Sequence, residues 1–342
     1  MQTINLIYPL LTSAKKQVVI TMHQKPDGDA MGSSLGLYHV LIQLGHTVTV
    51  ISPTNWASFL NWMPGCDQVL DFEKPQHKDK AFLAIENADW IFCLDYNVLS
   101  RTKNMEPVLA KAKGEKILID HHQHPQTDAF AFGISDTSKS STAEMVFDFI
   151  KASGHEDKIN VLSAECLYAG VMTDTGSFRF PLTSAGVHTM VASLKEKGLE
   201  HSKVHELLFD NFSENRLRFI GHVLLNRLEV FFEYNTALIA IPQADLIKYD
   251  IKTGDTEGLV NYPLSIEGIK LAAIIIDRGE ERKCSFRSKG DFDVNIFART
   301  YFHGGGHKNA AGGQSTLSLE EVKNKFMQAL KDNKDQLSDY SF

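Results

Sequence analysis

Short apolar runs alternate with helix-length stretches along the first half of the chain. The run from Gln17 to Met22 is rich in β-branched residues and predicts a strand, and the stretch from Met31 to Leu44 has a helical pattern that ends at Gly45. Strands that alternate with helices predict parallel β-α-β units, in which functional groups gather beyond the carboxyl ends of the strands. Further strands are predicted at the apolar runs 47–51, 88–94 and 116–119.

Helical patterns dominate the next part of the chain. The sequence Ser141-Thr142-Ala143-Glu144 has the form of a capping box and predicts a helix that continues to about Ala152. The stretch 161–172 is apolar on nearly all sides, which predicts a buried helix that ends beside Asp174. The stretch 199–226 is charged, has a helical pattern and contains no strand pattern, so it predicts a connector between two domains.

A different pattern begins at Leu228. The runs 228–232 and 236–241 predict an antiparallel hairpin, and a glycine-rich segment at 304–313 precedes a closing helix at 319–330. Further strands are predicted at 271–276, 283–287 and 293–298. We therefore predict an α/β fold, in which an N-terminal parallel-sheet domain with helices on both faces precedes a smaller C-terminal α+β domain. The predicted boundaries are 1–190 for the first domain, 191–226 for a helical linker and 227–342 for the second domain.

Composition and charge limit the location and the partners of the protein. The chain has 342 residues, 43% of them hydrophobic, which is ordinary for a globular protein of two domains. No apolar run approaches the roughly 20 residues that a membrane span needs, and the N-terminus lacks the pattern of a secretory signal. Its 4 widely spaced cysteines predict free thiols in a reducing cytoplasm. The formal charge of -7 argues against a broad duplex-binding surface, which would need many cations.

Acidic residues and histidines follow the predicted strands at the points where the strands end. Carboxylate and imidazole groups are ligands for divalent metals, and two metals about 3.5–4 Å apart can polarise a phosphoryl oxygen and generate hydroxide near neutral pH. Asp95 arrives alone from its own strand and is therefore the candidate for a carboxylate that bridges two metals. The sequence predicts a two-metal hydrolase whose candidate residues are His23, Asp27, Asp29, Asp95, Asp120, His121, His122 and Asp174.

The glycine-rich segment of the second domain predicts a phosphate-binding site. Gly304, Gly305 and Gly306 would let the backbone approach an anion, and a helix that begins at 308–311 would direct its N–H groups toward negative charge. His307 would add a hydrogen bond to phosphate. Arg287, near the end of a predicted strand, could bind a phosphate through two parallel hydrogen bonds.

The motifs that carry this chemistry resemble those of the DHH phosphoesterase superfamily. The resemblance rests on His23-x-x-Pro-Asp-Gly-Asp-Ala, the isolated Asp95, Asp120-His121-His122 and Thr173-Asp-Thr-Gly. The segment Gly-Gly-Gly-His-x-x-Ala-Ala-Gly that begins at Gly304 resembles the signature of the companion DHHA1 domain. Segments 255–263 and 265–268 are also similar to the bacterial nanoRNases, a subgroup of two-domain oligoribonucleases and pAp phosphatases of this length.

The resemblance implies a role for each matching residue. His23, Asp27 and Asp95 would bind one metal ion, whereas Asp29, Asp95, His121 and Asp174 would bind the other. Asp120 would orient a ligand histidine, and His122 would face the phosphate as a hydrogen-bond donor or as the acid for the leaving oxygen. The residues implied to bind substrate are Arg287, Gly304, Gly305, Gly306 and His307, with His307 and Arg287 also helping to neutralise charge during the reaction. Mn²⁺ is the first expectation for both metals and Mg²⁺ the alternative.

The expected activity is hydrolysis of short oligoribonucleotides from one end, together with removal of the 3′-phosphate of pAp. A metal-bridging hydroxide would attack phosphorus, and short single-stranded RNA, dinucleotides and pAp would be the substrates. A cyclic-dinucleotide or linear-dinucleotide phosphodiesterase is the main alternative, followed by an exopolyphosphatase and an inorganic pyrophosphatase. The alternative outside the enzymes is a nucleotide-sensing binding module. The resemblance further implies a homodimer, while the cysteines predict a cytoplasmic location and the lack of a long apolar run predicts no membrane partner.

Overall fold

A computed structural model describes residues 1–338 of the chain. The chain forms two compact units, the first from Met1 to Asn211 and the second from Phe212 onward. Among the described residues, no helix combines the length and the apolar character that crossing a bilayer would require. The four cysteines are all buried and unpaired, as the sequence predicts.

The first unit contains a parallel sheet of seven strands in the order β1-β7-β6-β5-β2-β3-β4. Its strands are β1 (Gln2–Thr3), β2 (Gln17–Thr21), β3 (Thr47–Ser52), β4 (Leu70–Asp71), β5 (Trp90–Leu94), β6 (Glu115–Asp120) and β7 (Phe132–Ser135). Its helices are α1 (Gly28–Gln43), α2 (Pro75–Glu86), α3 (Glu106–Lys111), α4 (Thr142–Ala152), α5 (Val161–Asp174), α6 (Ala185–Glu196) and α7 (His201–Phe209). This parallel sheet confirms the predicted α/β class.

Helices cover both faces of this sheet, because the strand residues that point to one face and those that point to the other are both apolar. Val18 and Ile20 of β2 belong to a core that includes buried residues of α1, α4, α5, α6 and α7. Val19, between them, points the other way into a smaller core with Ala81 of α2 and Leu109 of α3. Strands buried on both faces are typical of parallel sheets. The order of β6, β5 and β2 as neighbours brings the carboxyl ends of three site-bearing strands together.

Helices α1 and α5 approach each other closely along a row of glycines on α1. A Cβ at Gly32 would collide with the backbone carbonyl of Cys166, and a Cβ at Gly36 would lie 2.6 Å from the Leu167 side chain. At the start of α1, a Cβ at Gly28 would overlap the side chain of Thr173. The first turn of α1 therefore lies beside the last turn of α5. Small residues set this spacing because they let one backbone contact the other directly.

The described part of the second unit contains a mixed sheet of six strands in the order β12-β13-β11-β10-β9-β8. Strands β9 and β10 are parallel, and the other neighbours are antiparallel. The strands are β8 (Leu228–Phe231), β9 (Thr236–Ile241), β10 (Leu271–Asp277), β11 (Arg282–Ser288), β12 (Gly305–His307) and β13 (Ala310–Ser315). The helices are α8 (Glu214–Asn226), α9 (Gln243–Lys248), α10 (Asn261–Leu264), α11 (Val294–Phe302), α12 (Leu319–Asp332) and α13 (Lys334–Ser338).

The two faces of this second sheet are covered unequally by the elements of its own unit. One face packs on α11 and α12 through a core that contains Phe286, Phe297 and Phe326. The other face is covered by α8, α9 and neighbouring residues over β9 and β10, where Ile239 and Ile274 are buried. On β11 and β13, side chains of this second face, such as Ser285 and Arg287, are only half-buried. The polar half of the sheet is the part that carries the glycine-rich segment.

Two predictions for the second unit are wrong. Residues 293–298 were predicted as a strand, but they begin α11, because Asp293 accepts hydrogen bonds from the N–H groups of Asn295 and Ile296 and caps the helix. Residues 308–311 were predicted to begin a helix, but they form the turn and the start of β13 that follow β12. The small side chains of this segment allow it to pair closely with β11 instead.

Candidate functional site

The predicted metal ligands meet at the carboxyl edge of the first sheet. Strand β2 leads into His23, β5 is followed directly by Asp95, and β6 leads into His121. Helix α1 contributes from its start, where Asp27 is the N-cap and accepts from two N–H groups, and α5 contributes Asp174 at its end. The glycine row on α1 brings these two helix ends together. The structure therefore brings all six predicted ligands into one region of the first unit.

One group of potential ligands contains His23, Asp27 and Asp95. The Nε2 atom of His23 lies 3.7 Å from Oδ1 of Asp27 and 3.4 Å from Oδ2 of Asp95. Single ligand atoms of these three residues lie close enough together to share one ion. Burial lowers the pKa of His23, but interaction with Asp27 and Asp95 outweighs this effect and raises the pKa to about 10. His23 therefore lies in a strongly negative environment, which attracts a cation.

A second group contains Asp29, His121 and Asp174, again with Asp95 beside it. The Nε2 atom of His121 lies 3.5 Å from Oδ1 of Asp95, 3.5 Å from Oδ2 of Asp174 and 3.9 Å from Oδ2 of Asp29. The two oxygens of Asp95 thus face different histidines, Oδ2 toward His23 and Oδ1 toward His121. This orientation is the one that a bridging carboxylate needs.

The spacing and the charges of these groups fit divalent metal ions. Ligand atoms about 2.1 Å from a common ion lie roughly 3–4.2 Å from one another, which is the range of the separations between the histidine nitrogens and the carboxylates. Burial, followed by the charges of Asp95 and Asp174, raises the pKa of Asp29 well above its usual range. Carboxylates crowded in a buried site repel one another, and cations bound among them remove that repulsion. The residues present therefore fit a pair of divalent ions.

Asp95 is held in a backbone conformation that few residues adopt. Its φ of 63° lies in the left-handed region, where Asp and Asn are tolerated better than most other residues. The N–H of Asp95 donates to the carbonyl of Ile119 (3.2 Å), and the Arg101 guanidinium donates to the carbonyl of Asp95 (3.4 Å). Its Oδ1 accepts from the Thr142 hydroxyl at 2.9 Å. Contacts on the backbone and on the side chain together determine where the carboxylate points.

The segment that leads into α4 contacts three of the predicted ligands. The carbonyl of Lys139 lies 3.3 Å from Nδ1 of His121, and the Thr142 hydroxyl donates to Asp95. The N–H groups of Thr142 and Ala143 donate to the two oxygens of Asp29 at 2.7 and 2.9 Å. Sequence reasoning identified Thr142 and Ala143 only as part of a helix start, and it did not single out Lys139. The capping-box pattern was a signal for their local structure, but it contains no signal for their distant partners.

A carboxylate anchors this segment from the first turn of α4. Glu144 accepts from the N–H and the hydroxyl of Ser140, both at 2.8 Å, and from Nζ of Lys139 at 3.1 Å. Ser141 is the N-cap of α4 and accepts from the Glu144 N–H. The Glu144 side chain therefore binds the residue before the N-cap, so the predicted capping box is only half formed.

Asp120 was predicted to orient a histidine that binds metal, but in the structure it hydrogen-bonds His122. Asp120 accepts from Nδ1 of His122 at 2.7 Å and from the His122 N–H at 3.1 Å. It therefore orients His122, the residue predicted to face phosphate, whereas Lys139 lies beside the predicted ligand His121. The reason is local. The chain turns directly after β6, and this turn brings the His122 ring within hydrogen-bonding distance of the Asp120 carboxylate.

Arg101 is a cation beside the site that sequence reasoning missed. It lies in a short 3₁₀ helix, Leu99–Met105, and is half-buried. Burial lowers the pKa of His122, and the charge of Arg101 lowers it further, against the opposing effect of Asp120. Nothing in the pattern around Arg101 distinguishes it from a surface arginine, so only the fold reveals its position.

In the second unit, strand register places two predicted substrate residues on one face. His307 of β12 pairs with Ala310 of β13, and Ala310 pairs in turn with Arg287 of β11. Directly paired residues point to the same face of a sheet, and strands lie about 4.7–4.9 Å apart. Arg287 and His307 therefore flank the small side chain of Ala310 on one face of the sheet.

The predicted glycines lead into a turn and a strand, not into the helix start predicted at 308–311. Gly305 and Gly306 belong to β12, and Gly304 precedes it. Gly306 has a φ of 152°, and a Cβ there would lie 2.5 Å from the carbonyl of Ala310. The N–H of Gly306 donates to Oδ1 of Asn295, a buried residue of α11 that also accepts from Arg299. Helix N–H groups would therefore not contact an anion at this segment, and the candidate groups on this face of the sheet are the side chains of His307 on β12 and Arg287 on β11.

Protein-family models match both units. The model of the DHH family, N-terminal domain, matches residues 17–171, and the model of the DHHA1 domain matches residues 236–336. These matches confirm both resemblances that the motifs indicate.

Individual relatives match over nearly the full length of the chain. The bifunctional oligoribonuclease and PAP phosphatase NrnA of Thermus thermophilus is 29% identical over 97% of this chain and 94% of its own length. The protein of the same name from Bacillus subtilis is 26% identical over 89% of this chain and 91% of its own length. The crystal structure of an exopolyphosphatase-related protein from Bacteroides fragilis is 39% identical, with a TM-score of 0.92, and the match covers 98% and 97% of the two chains.

Proposed function

The chain belongs to the DHH family of phosphoesterases, with a DHHA1 domain, and on that premise we propose that it hydrolyses short oligoribonucleotides and pAp. The observation that carries the proposal is the orientation of Asp95, whose two carboxylate oxygens face His23 on one side and His121 on the other. The Thermus and Bacillus relatives, whose names state these two activities, match both units of the chain and support the substrates.

Two divalent cations, Mn²⁺ first and Mg²⁺ as the alternative, are the proposed cofactors. His23, Asp27 and Asp95 would hold one ion, and Asp29, Asp95, His121 and Asp174 would hold the other. When bound, such a pair polarises a phosphoryl oxygen and lowers the pKa of water to near neutrality. The protein fixes the spacing of the ligands through the strand ends and through the contact between α1 and α5.

His122 is the proposed proton donor to the leaving oxygen. Its Nδ1 donates to Asp120, so Nε2 is the ring atom that would interact with a phosphate. Burial and the charge of Arg101 lower the pKa of His122, against the opposing effect of Asp120. The negative charge of a bound phosphate favours the protonated ring. His122 would then hold a proton on Nε2 that it gives to the leaving oxygen.

The second unit is proposed to bind the substrate. Arg287 and His307, on one face of the sheet, would bind a phosphate, and Gly304, Gly305 and Gly306 leave space for it. A site that binds one small anion suits a few nucleotides rather than a long duplex.

We assign catalysis to residues 1–190, substrate binding to residues 227–342 and the role of a linker to residues 191–226. A cytoplasmic location and a homodimer remain predictions from the sequence.

A panel of phosphate compounds tests this proposal. Purified protein would be incubated with a dinucleotide, a longer RNA, pAp, a cyclic dinucleotide and pyrophosphate, each with Mn²⁺ and with Mg²⁺. We expect metal-dependent release of mononucleotides from the short RNA and of phosphate from pAp. A preference for pyrophosphate over every nucleotide would overturn the proposed substrates, and a preference for the cyclic dinucleotide would replace them with the main alternative.

A further inference from the structure

The Thr142 hydroxyl is buried and donates to one oxygen of the proposed bridging carboxylate. Thr142 has no exposed surface and is the first residue of α4. Its Oγ1 lies 2.9 Å from Oδ1 of Asp95, the oxygen that faces His121, while Oδ2 faces His23. Rotation of the Asp95 carboxylate would break this hydrogen bond. The hydroxyl therefore selects the rotamer in which each oxygen faces its own histidine.

The same residue contacts a second proposed ligand through its backbone. The Thr142 N–H donates to Oδ2 of Asp29 at 2.7 Å, and the next N–H, of Ala143, donates to Oδ1 at 2.9 Å. Asp29 and Asp95 come from different elements, 113 and 47 residues away from Thr142 in the sequence. The start of α4 thus fixes the positions of two carboxylates relative to each other. Substitution of the side chain removes only the contact to Asp95.

We infer that Thr142 is a positioning residue that orients Asp95 to bridge the two metal ions of the proposed function. The inference rests on that function, because without bound cations a bridge has nothing to join. Residues that orient ligands usually change metal affinity by about 10–100-fold when they are substituted. The effect should fall mainly on the ion shared with His121, because Oδ1 is the oxygen that loses its partner.

A merely structural threonine would behave differently. Loss of a buried hydrogen bond lowers stability wherever it occurs, but it changes metal affinity only where the bond orients a ligand. Thr236 of β9 offers a matched control, since it is also fully buried and its hydroxyl donates to the carbonyl of Tyr234, in the second unit. Thr236→Val makes the same chemical change as Thr142→Val without touching a proposed ligand.

The experiment measures Mn²⁺ binding to metal-free protein by calorimetry, without substrate, and records thermal unfolding and turnover against Mn²⁺ concentration in parallel. We expect Thr142→Val to weaken one of the two Mn²⁺ sites by about 10–100-fold, and high Mn²⁺ to restore turnover with KM for substrate unchanged. Thr142→Ser keeps the hydroxyl and should restore most of the affinity. Thr236→Val should unfold at a lower temperature with unaltered Mn²⁺ binding.

The outcomes separate the inference from the proposed function. Tight Mn²⁺ binding by the wild type that persists in Thr142→Val would overturn the inference alone, as would a Thr142→Ser variant that binds as weakly as Thr142→Val. A wild-type protein that takes up neither Mn²⁺ nor Mg²⁺ would overturn both. If Thr142→Val does not fold, we expect Thr142→Ala to show the same loss of Mn²⁺ affinity. The expected Mn²⁺ affinity of Thr142→Ser does not change.

Discussion

The two candidate sites of this protein are positioned by different kinds of structure. In the first unit, side chains from five separate elements converge, four of them buried, and hydrogen bonds from distant residues orient Asp29, Asp95 and His121. In the second unit, Arg287 and His307 are half-buried and share a face because of strand register. The first arrangement suits chemistry that tolerates little displacement, and the second suits recognition of a mobile chain end. Changes in the first should therefore alter metal binding, and changes in the second should alter KM.

The largest expected effect follows from changing the proposed bridge. Asp95→Asn keeps the size of the side chain and tolerates the left-handed backbone, but it removes the charge that two cations would share. We expect loss of tight Mn²⁺ binding and a fall in turnover of at least about 10³-fold. Calorimetry with Mn²⁺ and single-substrate kinetics check this, with the exposed Asp128→Asn as the matched control. Tight Mn²⁺ binding by Asp95→Asn would refute the bridging role.

A change in the second unit should give the opposite pattern. Arg287→Ala removes a charged partner of phosphate, and we expect KM for a dinucleotide to rise by about 10–100-fold while Mn²⁺ affinity stays constant. Arg287→Lys should recover only part of the loss, because lysine cannot make two parallel hydrogen bonds. Arg218→Ala, on the exposed surface of α8, is the control. A lower Mn²⁺ affinity in Arg287→Ala would mean that the two sites do not divide their roles.

The glycine row on α1 tests how the first site is built. Gly32→Ala would force the α1 backbone away from the Cys166 carbonyl, and we expect it to lower the free energy of unfolding by about 1–3 kcal/mol. We also expect Mn²⁺ affinity to fall by about tenfold, because Asp27 and Asp29 would move away from Asp174. Gly221→Ala in α8 meets no atom within 4 Å and should stabilise its helix by about 0.5–1 kcal/mol. Chemical denaturation and calorimetry measure both variants; unchanged Mn²⁺ affinity in Gly32→Ala would show that the site does not depend on this spacing.

The smallest effect is expected where α11 supports the glycine-rich strand. Asn295→Ala removes the acceptor for the Gly306 N–H, which costs about 1 kcal/mol and should raise KM for a dinucleotide about fivefold. Thr300→Ala, on the exposed side of the same helix, removes a hydroxyl that bonds only within the helix and should leave KM as it is. Equal KM values for wild type and Asn295→Ala would show that this support has no part in substrate binding.

The sequence predicts the first site better than the second for a physical reason. His23, Asp95 and Asp120 stand at the ends of apolar runs, and parallel strands bring such ends to one edge, so pattern and position agree. Thr142 and Lys139 orient the ligands through contacts that span large sequence separations, which no local pattern encodes. In the second unit, residues 304–313 have few side chains that could reveal alternation, so their strand conformation follows from the pairing of β12 with β13 and of β13 with β11. Residues 293–298 combine strand-favouring residues with a helix cap at Asp293, and the cap decides the structure.

The glycine row also bears on how freely the first unit could be redesigned. Because Gly32 lies against the α5 backbone at Cys166, and Gly28 and Gly36 lie against the side chains of Thr173 and Leu167, these contacts limit how closely α1 and α5 approach each other. Leucines and methionines of the surrounding core other than Leu167 could be exchanged for residues of similar volume, which cores generally tolerate. An engineer could therefore repack this unit for heat tolerance without altering the proposed metal site, provided that those three positions remain glycine and that Leu167 and Thr173 are kept.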